Sequence, residues 1–292
     1  MDHRPVVVIT GATNGLGRLA ALDLARSGAH LGIIARSREK GSELCKEIDA
    51  AAPGTPVDLF IADLASLRDA SKAGQEIDAR YARIDVLINN AGLHAFSQRV
   101  TSEGLAEMTA VNYLAPWALT STLRDKLVSS APARVVNVAS QAARESGSID
   151  PSADLATTVG YTRRESVALY GRSKLMDIMF TQELARRLAG TGVTANCCNP
   201  GFNTTGLGRE LPLAGVLERT LKTLRIGDPR RGAGIIVRLA TDPALAEVTG
   251  GYFSVKEAAP LTCPEPGRGE QIQAELWEST ARLVDGILSR TG

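Results

Sequence analysis

Short apolar runs alternate with longer segments of helical periodicity through most of this sequence, and this alternation limits the folds that the chain can adopt. The segments between the runs carry apolar residues at spacings of three and four, as on one face of a helix. Because the runs show no alternation of polar and apolar residues, each predicts a strand buried on both faces. The six runs in the first two-thirds of the chain are 6–10, 31–35, 57–62, 86–89, 135–139 and 193–199.

Strands and helices in this order predict an α/β fold with a doubly wound parallel sheet of the Rossmann type. A seventh short strand is expected at 251–255, after a helix near 229–241. No repeat or long linker divides the sequence, so we expect a single domain of about seven strands over residues 1–292. Two segments without a regular period, 141–165 and 202–227, follow core strands. Open α/β sheets bind ligands at the carboxyl ends of their strands, so we expect both segments on the substrate side.

The charge balance argues against a polyanionic partner. The chain has 33 Lys and Arg residues and 32 Asp and Glu residues, so its field is too weak to attract nucleic acid or an anionic membrane. A membrane span requires a run of about 18 apolar residues, and the sequence contains none. The first apolar run is too short for a secretion signal. We therefore expect a cytoplasmic protein whose partner is a small molecule.

Cysteine and histidine usage predicts neither disulfides nor a metal site. The four cysteines lack the spacing of metal ligands, and two of them, Cys197 and Cys198, are adjacent. The three histidines lie in different predicted elements. We therefore expect reduced thiols and no bound metal.

A glycine-rich turn joins the first predicted strand to the first helix, and residues 10–17 read TGATNGLG. Gly11 can take a tight turn, while Gly15 and Gly17 let the start of the helix lie close to a pyrophosphate, which free N–H groups and the helix dipole stabilise. Glycine-rich turns also occur for packing alone, but at this place in a strand–helix series the segment predicts dinucleotide binding. The candidate contacts are Gly11, Thr13, Asn14, Gly15, Leu16 and Gly17.

The residues after the second strand indicate which dinucleotide binds. A protein that prefers NAD usually has an acid there to hold the ribose 2′-hydroxyl, whereas residues 35–38 of this chain read ARSR. A guanidinium can bind a 2′-phosphate through charge-assisted hydrogen bonds, and a carboxylate would repel it. Arg36 therefore favours NADP(H). The alternative is a solvated arginine at the start of a helix.

Tyr170 and Lys174 stand four residues apart in a long helical pattern and therefore share one helix face. Unperturbed tyrosine has a pKa of about 10, and a nearby positive charge lowers this pKa toward neutral pH, where the phenol can act as an acid or a base. By itself the spacing is also common in exposed packing pairs. Ser140, however, ends a core strand at the carboxyl edge of the sheet, where a substrate is expected. Together the three residues predict a proton-transfer site.

The order and spacing of these motifs resemble the short-chain dehydrogenase/reductase family over roughly residues 5–285. The resemblance implies that Ser140 positions a carbonyl oxygen and that Tyr170 transfers the proton. It also implies that Lys174 tunes the tyrosine and binds the nicotinamide ribose. Asn112 matches the residue that holds a water in the family's proton relay, with a local helix hydrogen bond as the alternative.

The same resemblance extends the cofactor groove. Asp63 follows the third strand where family members cover the adenine, although an aspartate there could instead cap the next helix. Residues 89–92 read NNAG, and the first asparagine of this motif is expected to be partly structural. Residues 200–205 resemble the segment that contacts the nicotinamide carboxamide, with Thr205 or Thr204 as the family's threonine. The implied contacts are Asp63, Leu64, Asn90, Ala91, Gly92, Tyr170, Lys174, Pro200, Gly201 and Thr205.

The separation of Ser140 and Tyr170, 30 positions, is wider than is usual in the family and resembles the retinol dehydrogenase-like branch. That branch includes WW-domain oxidoreductase and protochlorophyllide reductase relatives. No hydrophobic anchor is expected here, which argues against a retinoid substrate. His94 is expected to line the pocket or to be exposed rather than to act in catalysis. Leu276 and Trp277 are expected in the core or in an interface.

The resemblance implies a carbonyl reductase that transfers hydride between NADP(H) and a ketone, aldehyde or alcohol of a hydrophobic small molecule. Two alternatives stay open: reduction of a C=C double bond, and a catalytically silent protein that senses NADP(H). In the family, the helices corresponding to 101–128 and 163–190 form a four-helix interface, so we expect a homodimer.

Overall fold

The computed structural model describes residues 4–201 and 228–290. At its centre lies one sheet with the strand order β3-β2-β1-β4-β5-β6-β7-β8. Strand β1 pairs in parallel with β2 on one side and with β4 on the other, so the direction of winding reverses there, as in a doubly wound fold. The seven parallel strands are β1 (Val6–Thr10), β2 (His30–Ala35), β3 (Val57–Ile61), β4 (Val86–Asn89), β5 (Ala133–Val138), β6 (Val193–Asn199) and β7 (Tyr252–Ser254).

An eighth strand, β8 (Pro260–Leu261), lies antiparallel to β7 at the edge of the sheet. The sequence analysis missed this strand and expected about seven. Glu257 and Ala258 make the turn between β7 and β8 with φ angles of +55° and +54°. These are not the glycine or asparagine residues that usually mark such turns, and two residues are too few to show a strand pattern.

Ten helices flank the sheet in the described part of the chain, and the seven parallel strands and the helix near 229–241 all occur where the sequence predicts them. The glycine-rich turn leads into α1, and Tyr170 and Lys174 lie on α8. A π-helical turn, Ala110–Leu114, joins α4 to α5. The helices are α1 (Gly15–Arg26), α2 (Arg38–Ala51), α3 (Leu67–Arg80), α4 (Glu107–Thr109), α5 (Ala115–Thr122), α6 (Arg124–Ser129), α7 (Ala153–Ala156), α8 (Glu165–Arg187), α9 (Pro229–Thr241) and α10 (Glu270–Leu288).

Two apolar cores form, one on each face of the sheet, because every central strand is buried on both sides. Residues of α1, α2 and α9 pack on one face, and residues of α3, α5, α8 and α10 pack on the other. Both cores leave the carboxyl ends of the strands uncovered by these helices, and the candidate site lies there. None of the helices described is both long enough and apolar enough to cross a bilayer.

The last helix, α10, covers faces of α5 and α8 that the sequence analysis assigned to a homodimer. The Trp277 ring lies 5.5 Å from Trp117 and 5.7 Å from Phe180, measured between centroids. The Arg187 guanidinium lies 4.6 Å from the centroid of the same ring. Leu276 is 1 % exposed and Trp277 is partly buried against the core, which agrees with the expectation of core or interface positions. The faces under α10 are closed to a second copy, and the homodimer stays a prediction.

Candidate active site

A cavity of about 470 Å³ runs along the carboxyl edge of the sheet, from the glycine-rich turn to Tyr170. This volume falls within the range of small-molecule and cofactor sites, about 300–1,000 Å³. Every predicted site residue in the described part lines the cavity, except Asn112. Thr205, Thr204 and the rest of the segment 202–227 lie outside the described residues. Residues that were not assigned to the cofactor or the reaction from the sequence also line it, among them Lys40, Leu93, Arg99, Glu107 and Val111.

The glycine-rich turn takes a shape that other residues would strain. Gly11 and Gly15 have φ angles of +67° and +57°, in the left-handed region that favours glycine. A Cβ at Gly17 would lie 2.3 Å from Asn90 Nδ2 and 2.5 Å from the Gly11 carbonyl oxygen. Helix α1 therefore begins directly against the end of β4. Its N-terminal turn, which has no acidic residue, borders the cavity and is suited to an anion.

Thr10 and Asn90 tie the ends of β1 and β4 together beneath this turn. The Asn90 side-chain amide donates to the carbonyl oxygens of Thr10 at 2.9 Å and Gly11 at 3.2 Å. In return, Thr10 Oγ1 accepts from the backbone N–H groups of Asn90 and Ala91, each at 2.9 Å. Asn90 thus fixes the floor of the cavity as well as lining it.

Asn89 and Asp63 make hydrogen bonds that stabilise the sheet and the loop beside the groove. Asn89 is buried and donates to Thr120 Oγ1 at 3.1 Å and Asn137 Oδ1 at 2.9 Å, which fits its expected structural part. Asp63 lines the cavity and accepts from the backbone N–H of residue 65 at 3.0 Å. It does not cap α3, because Ser66 takes that place.

Two cations stand where the sequence analysis expects a 2′-phosphate. Arg36 follows β2 and is exposed at the rim of the cavity. Ser37 caps α2 by accepting from the Lys40 backbone N–H at 3.3 Å, which places Lys40 on the same rim. The sequence analysis missed Lys40, although its spacing of four residues from Arg36 was a signal. Arg38, between them, does not line the cavity.

At the other end of the cavity, the structure brings Ser140 and Tyr170 together. Both side chains line the cavity, and the Ser140 hydroxyl lies near enough to the phenol to lower the pKa of Tyr170. Ser140 lies two residues after β5 and caps a 3₁₀ helix, Gln141–Glu145, by accepting from Ala142 N–H at 3.2 Å. A Cβ at Gly171 would lie 2.3 Å from the Ala142 carbonyl oxygen. This glycine therefore lets α8 approach the 3₁₀ helix closely enough to join residues 30 positions apart.

Lys174 is buried one turn further along α8. Its ammonium donates to the Val138 carbonyl oxygen at 2.9 Å and to Asp177 Oδ2 at 2.8 Å. The side chains of Lys174 and Asp177 are only 5 % and 3 % exposed. The sequence analysis missed Asp177, although an acid three residues after a lysine on one helix is a signal for such a pair.

The pKa of Tyr170 is raised rather than lowered in the protein alone. Burial raises it, and the Lys174 ammonium and the Ser140 hydroxyl oppose this rise without overcoming it. Asp177 adds to the rise. Lys174 thus acts in the expected direction, but the loss of hydration around the phenol outweighs it.

Asn112 lies in the π-helical turn and links three parts of the chain. Its Oδ1 accepts from Leu93 N–H at 2.8 Å, and its amide group donates to the Leu93 carbonyl at 2.9 Å and Ser173 Oγ at 3.0 Å. These bonds are long-range, so the alternative of a local helix hydrogen bond does not describe them. A part in holding a water stays a prediction.

His94 lines the cavity and packs against the tyrosine. The rings of His94 and Tyr170 are stacked at 14°, with centroids 4.8 Å apart. His94 Nε2 lies 3.0 Å from Ser166 Oγ, and Phe96 lies on the imidazole at 4.6 Å. The histidine thus belongs to the wall of the site, as expected, and supports one face of the phenol ring.

The segment 141–165 packs against α8. Beyond the 3₁₀ helix it forms α7, whose Asp154 makes an ion pair with Arg172 of α8. It lines a second cavity of about 350 Å³ with residues such as Met108 and Met176. No residue of this segment lines the first cavity, so its expected place beside the substrate stays a prediction.

Comparison with known proteins identifies the family. The family model described as short chain dehydrogenase matches residues 5–151. This chain belongs to the short chain dehydrogenase family. Retinol dehydrogenase 13 of Homo sapiens is 36 % identical over 287 residues, which cover 95 % of this chain and 84 % of that protein. These matches confirm the predicted resemblance to retinol dehydrogenases and identify the chain as an oxidoreductase of this family.

Other members of the family extend this likeness to a bacterial relative and a solved structure. A protein of Streptomyces sp. (strain C5), named "Putative daunorubicin C-13 ketoreductase DnrU", is 37 % identical over 279 residues, covering 95 % of this chain and 92 % of that protein. The crystal structure of a blue fluorescent protein from a metagenomic library, in complex with NADPH, superimposes with a TM-score of 0.66 and 26 % identity. The superposition covers 87 % of this chain and 97 % of the chain in that structure.

The residues of the first cavity fit a nicotinamide dinucleotide. The glycine-rich turn offers a cradle that a Cβ at Gly17 would fill. At Gly92, a Cβ would lie 3.4 Å from Lys174 Nζ, so this glycine leaves the ammonium open toward the cavity. An anion-binding helix start and a buried ammonium at opposite ends of one groove match the pyrophosphate and the nicotinamide ribose.

Proposed function

We propose that this protein is an NADP(H)-dependent carbonyl reductase that acts on a ketone or aldehyde of a hydrophobic small molecule. The observation that carries the proposal is that Ser140, Tyr170 and Lys174 line the same cavity as the glycine-rich turn. Proton transfer and dinucleotide binding thus share one groove.

The choice of NADP(H) rests on the rim of the groove. Arg36 and Lys40 supply two cations where a 2′-phosphate would lie. The glycine-rich turn and the first turn of α1 would hold the pyrophosphate. When bound, NADP(H) supplies the hydride that reaches the carbonyl carbon.

The proton comes from the protein. Tyr170 donates it from its phenol to the carbonyl oxygen, which the Ser140 hydroxyl holds through a second hydrogen bond. Lys174 has three N–H donors, of which two are fixed by Val138 and Asp177. The third is left for the nicotinamide ribose.

The substrate class rests on relatives and on chemistry. Two relatives are named for the oxidation of retinol and for the reduction of the C-13 ketone of daunorubicin. Hydrophobic ketones and aldehydes are therefore the first compounds to test. Reduction of a C=C bond and silent binding of NADP(H) are the other outcomes of that test.

The test is NADPH oxidation by purified protein over a panel of aromatic, terpenoid, steroid and aliphatic carbonyl compounds. With any substrate found, Tyr170→Phe should lower kcat by about 10² to 10⁴ while the Kd for NADPH stays nearly unchanged. Tyr81→Phe is the matched control, because Tyr81 bonds Asp58 far from the cavity. Turnover by Tyr170→Phe at the wild-type rate would refute the assignment, and NADPH binding without any turnover would favour the sensor.

A further inference from the structure

Asp177 is a buried acid that the reaction as described so far does not use. Its Oδ2 accepts from the Lys174 ammonium at 2.8 Å, while its Oδ1 has no partner among the described residues. Removing two charges from water costs several kcal/mol for each ion, and a buried pair is weak evidence of a stabilising part. A reason for the carboxylate is therefore better sought in what it does to Lys174.

The other titratable groups around Asp177 carry no charge near neutral pH. Tyr113 of the π-helical turn faces it, and burial raises the pKa of this phenol. From β6, burial raises the pKa of Cys197 well above its ordinary value and that of Cys198 to about 12. Lys174 is thus the cation that Asp177 meets among the described groups, and Tyr170 is the phenol that both of them affect.

We propose that Asp177 is a positioning residue for proton transfer, because it holds the Lys174 ammonium in place and offsets the charge that this ammonium presents to Tyr170. The phenol then keeps its proton and acts as an acid, which suits carbonyl reduction. This inference rests on the proposed function and adds that the site favours carbonyl reduction over alcohol oxidation.

Geometry and charge both support this assignment. The Val138 carbonyl and Asp177 fix two of the three Lys174 donors from different elements, so the direction of the third is determined. Burial lowers the pKa of Lys174, but the charge and the hydrogen bond of Asp177, together with Tyr170 and Cys198, outweigh this and raise it. The same charge raises the pKa of Tyr170. An ammonium kept charged beside a phenol kept neutral is the combination that donates a proton.

Asp177→Asn tests the inference, because the amide keeps the shape and an acceptor for Lys174 but removes the negative charge. The full positive charge of Lys174 then acts on Tyr170, so tyrosinate should form at a pH lower by about one unit or more. The measurement is the ultraviolet absorbance of tyrosinate during a pH titration of the cofactor-free protein. Subtracting the titration of the matching Tyr170→Phe variant isolates the phenol of interest.

Asp177→Glu restores the charge and should bring the midpoint back toward that of the wild type. Glu183→Gln is the control, since Glu183 lies on the same helix and pairs with Arg186 and Arg187 away from the cavity. It should leave the midpoint unchanged. An unchanged midpoint in Asp177→Asn would overturn the inference, as would an equal shift in Glu183→Gln.

A second readout uses the reaction itself. In Asp177→Asn, the pH at which kcat for alcohol oxidation reaches half of its maximum should fall by a similar amount, and the ratio of oxidation to reduction at neutral pH should rise. A purely structural part would lower both rates together without moving the profile. The titration needs neither cofactor nor substrate. The inference about Asp177 can therefore fail while carbonyl reduction is confirmed, and carbonyl reduction can fail while the inference about Asp177 is confirmed.

Discussion

The two ends of the cavity are built from different kinds of group. At the cofactor end, the surface consists of backbone in the turn after β1 and of exposed cations on its rim, Arg36 and Lys40. At the proton-transfer end, it consists of the buried side chains of Tyr170 and Lys174, with Asp177 behind them. The first end is formed at the two strand–helix junctions after β1 and β2, whereas the second depends on elements far apart in the chain.

This contrast determines how each end responds to change. Exposed charges are screened by solvent and salt, so a cation on the rim contributes specificity rather than stability. Buried charges are scarcely screened, and each affects its neighbours strongly. The backbone cradle tolerates no added atom, while the buried side chains depend on the packing that holds α8 in place.

The largest effect on the cofactor end should come from Gly17→Ala. The new Cβ would overlap Asn90 Nδ2 and the Gly11 carbonyl oxygen, so the turn must open, at a cost of about 3 kcal/mol, and the Kd for NADPH should rise roughly a hundredfold. Gly234→Ala is the control, because a Cβ there meets nothing within 4 Å. Equal affinities of the two variants, measured by fluorescence titration, would show that the turn is not a rigid cradle.

The packing behind the proton-transfer end is tested by Trp277→Ala. Removing this ring from between Trp117 and Phe180 should lower the free energy of unfolding by about 3 kcal/mol, measured by urea denaturation. Leu288→Ala, at the exposed end of α10, should change it by less than about 0.5 kcal/mol. A small loss for Trp277→Ala would mean that α10 contributes little to the position of α8.

A smaller effect is expected from Arg36→Asp, which reverses one charge on the rim. The loss of a charge-assisted hydrogen bond should raise KM for NADPH about tenfold to a hundredfold and leave KM for NADH much less changed. Arg38 lies two residues further along the chain and does not line the cavity. Arg38→Asp should therefore change KM little for either cofactor. Equal losses of kcat/KM with the two cofactors in Arg36→Asp would remove the basis for NADP(H).

The smallest effect should follow from His94→Ala, which removes the ring stacked on Tyr170. Aromatic pairs contribute about 0.5–1.5 kcal/mol, so kcat should fall about twofold to tenfold. His94→Phe keeps a ring in that place and should retain most of the activity. If both variants lose activity equally, the hydrogen-bonding capacity of the imidazole matters more than its stacking.

The strands, and the residues that line the cavity at the glycine-rich turn, were predicted nearly in full, whereas the proton-transfer end was predicted only as a set of residues. Each buried strand shows in the sequence as an apolar run, and the turn shows in its glycines. Lys40 and Asp177 were missed because their importance comes from what lies beside them rather than from their own type. The strand β8 was missed because two residues carry no period.

What the sequence by itself determined is local: the order of strands and helices, the backbone shape after β1, and the shared face of Tyr170 and Lys174. These follow from periodicity and from the conformations that glycine allows. The tertiary structure alone decided that the pKa of Tyr170 is raised, since burial, with a smaller contribution from Asp177, outweighs the opposing effects of Lys174 and Ser140. The balance of desolvation against charge depends on everything packed around a group, and no spacing in a sequence gives that sum.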